Sequence, residues 1–461
     1  MRELVVCVDF GSTFTKAALV DPRTGDLVGT AGHRTTIDTD VLDGWDACRA
    51  ELARAEPRAA DAEVLACSSA GGGLRIAVVG NEELVTAEAG RRVALSSGGR
   101  VVHVGSDGLT PASYTALKAS RPDVVLLVGG TDGGNAEVLE GNAGFLAGTG
   151  WAGPVVVAGN VESQARVAAL LEESRTPYVL ADNVVPRIGV LAPGSARAAI
   201  REMFLRHVIG GKHLSRRVDF TAMVRGATPD VVLTAVELLA RGLDAEHPGA
   251  GDVVVVDVGG ATTDVHSVVD PDAADRHEDE GLSRQVVATV AETRTVEGDL
   301  GMRWSAVPTV EEGVAAGLVE DPVRLRAAAE LRRADPAFLP GTGPERDDDE
   351  QVAAVAVTVA LRRHAGRLQV VYGPDGRVVE RSGKDLREVD LLVGSGGVLR
   401  NGPPGAAARV LAGVTGDRST GGWQLPRGPR MVVDRDYVLA AAGLLATEHP
   451  RAAHALLGRL R

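Results

Sequence analysis

Two aspartates in this chain close valine-rich runs and open into turns of glycine and hydroxyl residues. The first lies in VVCVDFGSTFTKAALV (residues 5–20) and the second in VVVVDVGGATTDVHSV (residues 253–268). With Asp9 laid on Asp257, Val5, Val6, Val8, Gly11, Thr15 and Val20 fall on Val253, Val254, Val256, Gly259, Thr263 and Val268, seven identities in sixteen positions. Turn amides of this kind form an anion nest, and hydroxyls add donors without adding charge. A strand-end aspartate suits Mg²⁺ held through its waters. Lys16, inside the first turn, can neutralise phosphate. The chemistry expected is a grip on a nucleotide triphosphate and its metal, with Asp9 and Asp257 as the metal-ordering carboxylates.

The elements that must position these residues follow from the pattern. Continuous β-branched runs read as fully buried strands. The glycines read as tight turns into a second strand, because glycine tolerates positive φ and invites close backbone approach. Two related hairpins imply two related α/β lobes, 1–245 and 246–461, with the nucleotide held in the cleft between them. Strand and glycine-turn signals recur at "EVLACSSAGGGLRIAVVG", "PDVVLLVGGTDGGN", "GPVVVAGN" and "TPYVLADNVVP", which marks an α/β domain. Residues 194–245 read as mostly helical. Ser195 is the expected N-cap of one helix, and Thr228-Pro229 to Gly242 bounds another. The charged stretches 270–281 and 340–351 read as loops. His277 within the first reads as a solvated tip, and His103, His207, His213, His266 and His364 read as structural.

Composition narrows the partners. Hydrophobic residues make up 44% of the chain but aromatics only 3%, so the cores are aliphatic and no base-stacking platform is expected. A net charge of −13 argues against nucleic acid. Only four lysines are present, which makes Lys16 in a glycine turn the more notable. Cys7, Cys48 and Cys67 show no C-x-x-C spacing and read as free thiols of a reducing compartment. No signal peptide or membrane span is expected, and the protein reads as cytoplasmic.

The paired hairpins and the late "VGSGG" turn resemble the actin-like ATPase superfamily, whose fold is two RNase H-like lobes. The resemblance makes Asp9, Gly11, Ser12, Thr13 and Lys16 the first phosphate loop, and Asp257, Gly259, Gly260, Thr262, Thr263 and Asp264 the second. Gly394, Ser395, Gly396 and Gly397 become the adenosine turn. Glu297-Gly298-Asp299 resembles the helix start that meets ribose, with a capping role for Asp299 as the alternative. The implied cofactors are ATP and Mg²⁺, with Thr263 or Asp264 near the attacking water.

Over nearly its whole length the chain resembles the MutL, or GlmL, family, through "DFGSTFTKA", "CSSAGGGL", "VLLVGGTDGGN", "TPDVVLTAVELLARG", "VVDVGGATTDVHSV", "TVEGDLGMRWSA" and "LVGSGGVLRN". This family is unrelated to the mismatch-repair protein that shares the name. The resemblance implies an ATP-dependent reactivating chaperone for an adenosylcobalamin-dependent mutase, glutamate mutase or an aminomutase, with the mutase subunits as partners. Nucleotide state would set the angle between the lobes. Three other functions use the same grip. A sugar-type kinase would need an acceptor base, for which Asp132 is the candidate. An actin-like filament protein would need none. An activator of 2-hydroxyacyl-CoA dehydratases would need a cysteine-held cluster, which this cysteine spacing does not favour.

Overall fold

Valine organises the first sheet. The run Val5–Phe10 (β1) is buried along its whole length, as a strand covered on both faces must be. The computed structural model describes residues 4–70, 73–217, 219–270, 282–283, 290–373, 376–416 and 421–461. β1 pairs antiparallel with β2 (Phe14–Val20), which pairs antiparallel with β3 (Leu27–Arg34). On its other side β1 pairs parallel with β4 (Glu63–Ser68), itself parallel to β10 (Val224–Ala227). The order β10-β4-β1-β2-β3 is therefore a meander extended by parallel strands on one side.

Between β4 and β10 the chain builds a separate sheet from β5 (Leu74–Val79), β6 (Gly99–Gly105), β7 (Val124–Leu127), β8 (Val155–Val157) and β9 (Tyr178–Leu180). All its pairings are parallel and its order is β6-β5-β7-β8-β9, a doubly wound arrangement. Alternation along each strand assigns the helices. Ile76, Val78, Val124 and Leu126 share a core with α2 (Glu88–Ser96) and the helix Gly194–Met203. Ala77, Val79, Val125 and Leu127 share another with α3 (Pro111–Ala119), α4 (Glu137–Gly148) and α5 (Gln164–Glu173).

The second hairpin starts a sheet of the same design. β11 (Val253–Val258) pairs antiparallel with β12 (Thr263–Val268), which pairs antiparallel with β14 (Glu292–Glu297). β17 (Leu391–Ser395) and β18 (Arg430–Val433) continue in parallel, giving the order β14-β12-β11-β17-β18. Numbered by appearance, both sheets read 3-2-1-4-5 with the same strand senses. That shared design makes this an α/β protein of two actin-like, RNase H-like folds. β13 (Leu282–Ser283), β15 (Arg367–Gly373) and β16 (Gly376–Ser382) form a small further sheet. The chain divides into two compact units. One holds the chain up to Thr234 together with Ala440–Ala453. The other holds most of the chain from Ala235 to Leu439 and ends with His454–Arg461.

Several local expectations change. Ser195 caps no helix. The helix begins at Gly194 without a side-chain cap, and the Ser195 hydroxyl accepts from the Asp182 N–H at 3.0 Å. The 340–351 stretch is not a loop but the start of the helix Gly343–His364, where Thr342 and Glu345 make a reciprocal capping box. β10 falls inside a region read as helical. The 270–281 stretch and His277 lie outside the described residues, apart from Asp270. Cys7, Cys48 and Cys67 are free and buried.

Beneath the second hairpin lies a buried polar cluster. The Ser267 hydroxyl and His364 Nε2 are 2.8 Å apart, and His364 Nδ1 lies 3.0 Å from the Thr295 hydroxyl. Lys384 Nζ donates to the Ala291 carbonyl at 2.7 Å and to Ser267 at 3.3 Å. Burial, with Lys384 and His266 close by, holds the His364 pKa well below its ordinary value. Burial and Arg294 do the same for His266. Both rings stay neutral in the fold while the unfolded chain takes up protons below about pH 6.5. Stability is therefore complete above that pH and falls as pH drops through it. Urea unfolding between pH 7.5 and 5.5 should show that loss, and His364→Gln should reduce it by about 1.4 kcal/mol across the window, the contribution of one group with an unfolded pKa of about 6.5.

Candidate functional site

The two turns close in the same way. The Gly11 N–H donates to the Phe14 carbonyl at 3.1 Å, and the Gly259 N–H donates to the Thr262 carbonyl at 2.9 Å. A Cβ at Gly11 would stand 2.6 Å from that carbonyl oxygen, and one at Gly259 would stand 2.9 Å from its own. Close approach, rather than backbone handedness, is what requires glycine here. Neither residue has a positive φ, so of the two reasons for glycine expected from sequence, close approach holds and positive φ does not.

In the first hairpin Asp9 faces Lys16 across the strands, with Nζ 3.8 Å from the carboxylate. The Thr228 hydroxyl, at the start of the helix Thr228–Arg241, donates to Asp9 Oδ1 at 2.6 Å, and Cys67 Sγ approaches the same oxygen at 3.7 Å. Desolvation and the adjacent carboxylate push the Cys67 pKa well up, so its thiol keeps its proton. Thr35 braces the turn from the end of β3. Its N–H donates to the Thr13 carbonyl at 2.9 Å and its hydroxyl to the Gly11 carbonyl at 2.8 Å. Ser12 at the tip is exposed.

The second hairpin differs where the charges meet. Asp257 sits directly opposite Asp264, a like-charge pair where the first hairpin has aspartate and lysine. Such a pairing is destabilising unless a cation intervenes. Arg294 of β14 supplies one from the side: its Nε donates to Asp264 Oδ1 at 3.1 Å, from an almost fully buried position. The Thr262 hydroxyl holds the other Asp264 oxygen at 3.2 Å. Thr263 is wholly buried, and its hydroxyl has no hydrogen-bond partner among the described residues. A following loop supports the turn. The N–H groups of Met302 and Arg303 donate to the Gly259 and Gly260 carbonyls at 3.0 and 2.7 Å, and the Ser305 hydroxyl donates to the Ala261 carbonyl at 2.6 Å.

The glycine turn after β17 adjoins this hairpin. Ser395 pairs with Asp257 in parallel register, and Gly396 has a φ of 113°. A Cβ on Gly396 would lie 2.3 Å from the Val258 carbonyl oxygen, so only glycine fits. Gly394 ends within β17, and Gly397 opens the short helix Gly397–Asn401. One unit thus gathers Asp257, Gly259, Gly260, Thr262–Asp264 and Gly394–Gly397 at one end of its sheet, where β11 and β17 finish and β12 starts. The other gathers Asp9, Gly11–Thr13 and Lys16.

Glu297 and Asp299 stand differently from the expected helix start. Glu297 is the last residue of β14, and the next helix begins only at Ala306, so Asp299 caps nothing. Arg363 binds both carboxylates at 2.8 Å and Glu312 at 2.8 Å. The arginine hydrogen bond lowers the Asp299 pKa, whereas burial raises that of Glu297. Thr35, Arg294 and Arg363 lie outside every stretch singled out in the sequence, Thr228 and Ser305 lie within two of them, and for all five only the contacts identify these roles.

Carboxylates, hydroxyls and backbone groups dominate both turns. In the second turn, the like-charge pair with one flanking arginine and the buried Thr263 hydroxyl lacking a partner among the described residues fit a magnesium ion held through water by Asp257, and Asp9 is the equivalent strand-end carboxylate of the first turn.

A family model described as MutL protein matches residues 5–460. Protein MutL of Clostridium tetanomorphum is 36% identical over 450 residues, spanning 96% of each chain. Among solved structures, gluconate kinase from Lactobacillus acidophilus aligns over 99% of this chain and 92% of its own, at 10% identity and a TM-score of 0.34. Ethanolamine utilization protein EutJ from Carboxydothermus hydrogenoformans aligns over 98% and 88%, at 10% identity and a TM-score of 0.28. Scores this low leave the fold assignment resting on the duplicated strand order.

Arg294→Met should cost about 3 kcal/mol in urea unfolding, because it strands Asp264 opposite Asp257. Adding Asp264→Asn should recover a large part of that loss. Additive losses in the double mutant would show that the two side chains do not act as a pair.

Proposed function

The chain belongs to the MutL protein family, and on that premise we propose that it is an ATP-driven reactivating chaperone for an adenosylcobalamin-dependent mutase, glutamate mutase or an aminomutase. The observation that carries the nucleotide half of this reading is the duplicated Asp-x-Gly turn, closed by the same N–H to carbonyl bond in both units. Family membership supports the client.

Radical mutases lose their adenosyl group irreversibly, so a tightly held, damaged cobalamin has to be extracted before fresh cofactor can enter. Coupling of about 1–3 kcal/mol between nucleotide and client is enough to bias such a release. Hydrolysis asks little covalent chemistry of the protein. Turn N–H groups and Lys16 receive phosphate oxygens, Asp9 and Asp257 orient water, and Thr263 or Asp264 adjoins the attacking water. Magnesium, when bound, neutralises charge on the phosphates. Gly394–Gly397 accepts the adenosine, and Glu297 meets the ribose once its tie to Arg363 is shared.

The other readings lose support from particular contacts. Asp132, the candidate kinase base, accepts from Asn183 Nδ2 at 2.8 Å and from the Val161 N–H at 3.2 Å, which makes it a loop tie. The three cysteines are buried and burial raises their pKa values, Cys48 to about 11, so they offer no cluster ligands at a surface. Among the described residues no helix is long and apolar enough to cross a membrane.

ATP with Mg²⁺ should raise the melting temperature of the full chain through binding to the folded state. Asp257→Ala should slow hydrolysis by on the order of 10²-fold while the chain stays folded. A mutase inactivated with hydroxocobalamin should regain activity only with this protein, ATP, Mg²⁺ and fresh adenosylcobalamin together. ATP consumption driven by a small acceptor, with no rescue of either mutase, would replace the chaperone reading with a kinase.

A further inference from the structure

At the end of β4 away from the phosphate turn, three ligating side chains meet. Glu63 opens the strand, while Glu448 and His449 lie just before the helix Pro450–Leu457. One ligand atom from each lies within 4.8 Å of the others. Glu63 is fixed by its strand pairing with Val5 and by its N–H bond to the Leu4 carbonyl at 3.2 Å. His449 is fixed by its N–H bond to the Leu445 carbonyl at 2.7 Å. All three belong to the same compact unit, which Ala440–Ala453 rejoins late in the sequence.

The charge environment separates this cluster from three other groups of carboxylates. Where Glu297, Asp299 and Glu312 converge, Arg363 sits among them. Asp264 has Arg294, and Asp349 has Arg332 and Arg303. Among the described residues no arginine or lysine pairs with Glu63 or Glu448, although the chain carries 49 such residues. Two carboxylates drawn together without a cation repel each other, and the third member is an imidazole, which as a neutral ring is a metal ligand.

We propose that Glu63, Glu448 and His449 form a site for a divalent first-row transition ion of the Zn²⁺ class. An imidazole nitrogen beside two carboxylate oxygens selects such an ion over Mg²⁺, which prefers oxygen alone. Three protein ligands leave the fourth tetrahedral position to water. Bonds of about 2.1 Å place ligand atoms roughly 3.4 Å apart, a closure that glutamate torsions supply. The site is separate from the phosphate turn. Cys67 is the β4 residue level with Asp9, and Glu63 precedes it by about 13 Å at the rise of a strand. The ion ties the 440–453 segment to β4.

The test uses the full chain, stripped with a chelator and held without nucleotide. Titration calorimetry with Zn²⁺ should show one ion per chain, with a rise in melting temperature. Glu63→Gln and His449→Gln should each weaken binding by on the order of 10²-fold, with the metal-free melting temperature unchanged. Zinc-edge absorption of the wild type should show one imidazole nitrogen, oxygen neighbours and no sulfur, a readout that holds even if a variant fails to fold. Binding that survives both substitutions means an adventitious ion only and overturns the proposal. So does a spectrum with sulfur or without imidazole, or full displacement by millimolar Mg²⁺.

Discussion

A single hydrogen bond governs each of the two glycine turns. When the Gly11 N–H reaches the Phe14 carbonyl, or the Gly259 N–H the Thr262 carbonyl, the chain reverses within a few residues and commits the next strand to antiparallel register. That register decides which side chain faces each aspartate. It also leaves no room for a Cβ on the turn glycine. Both sheets grow outward from these reversals, so the later strands inherit their alignment from them.

The two copies have diverged in how they handle charge. The first satisfies its aspartate internally, with Lys16 across the strands and Thr228 from a neighbouring helix. The second places carboxylate against carboxylate and draws Arg294 in from β14. A duplicated backbone has therefore kept its shape while its electrostatics changed: one turn carries a lysine opposite its aspartate, and the other takes an arginine from a neighbouring strand.

The hairpins were legible in the sequence because continuous valine and a repeated Asp-x-Gly are local signals. The strands of the inserted sheet were legible too, but their membership was not. Nothing in EVLACSSAGGGLRIAVVG announces that β4 and β5 belong to different sheets. β10 escaped notice because VRGA is short and takes its order from pairing with β4, far away in sequence. The charged run at 340–351 reads as loop by composition, yet its Thr342–Glu345 box starts a helix whose apolar face comes only later. Thr228, Arg294 and Arg363 were invisible because each acts on a residue distant in the chain.

The return of Ala440–Ala453 to the first unit has a consequence for biosynthesis. Gly443 packs so closely that a Cβ there would lie 2.0 Å from the Val231 carbonyl oxygen. The partner surface of Val231 is thus missing until the 440–453 segment has been translated. Domains generally fold as units from the N-terminus during synthesis, but this amino-terminal unit cannot be completed while its last segment is still on the ribosome. Its final packing waits on residues 440–453, and a chain broken off before them would leave this unit unfinished.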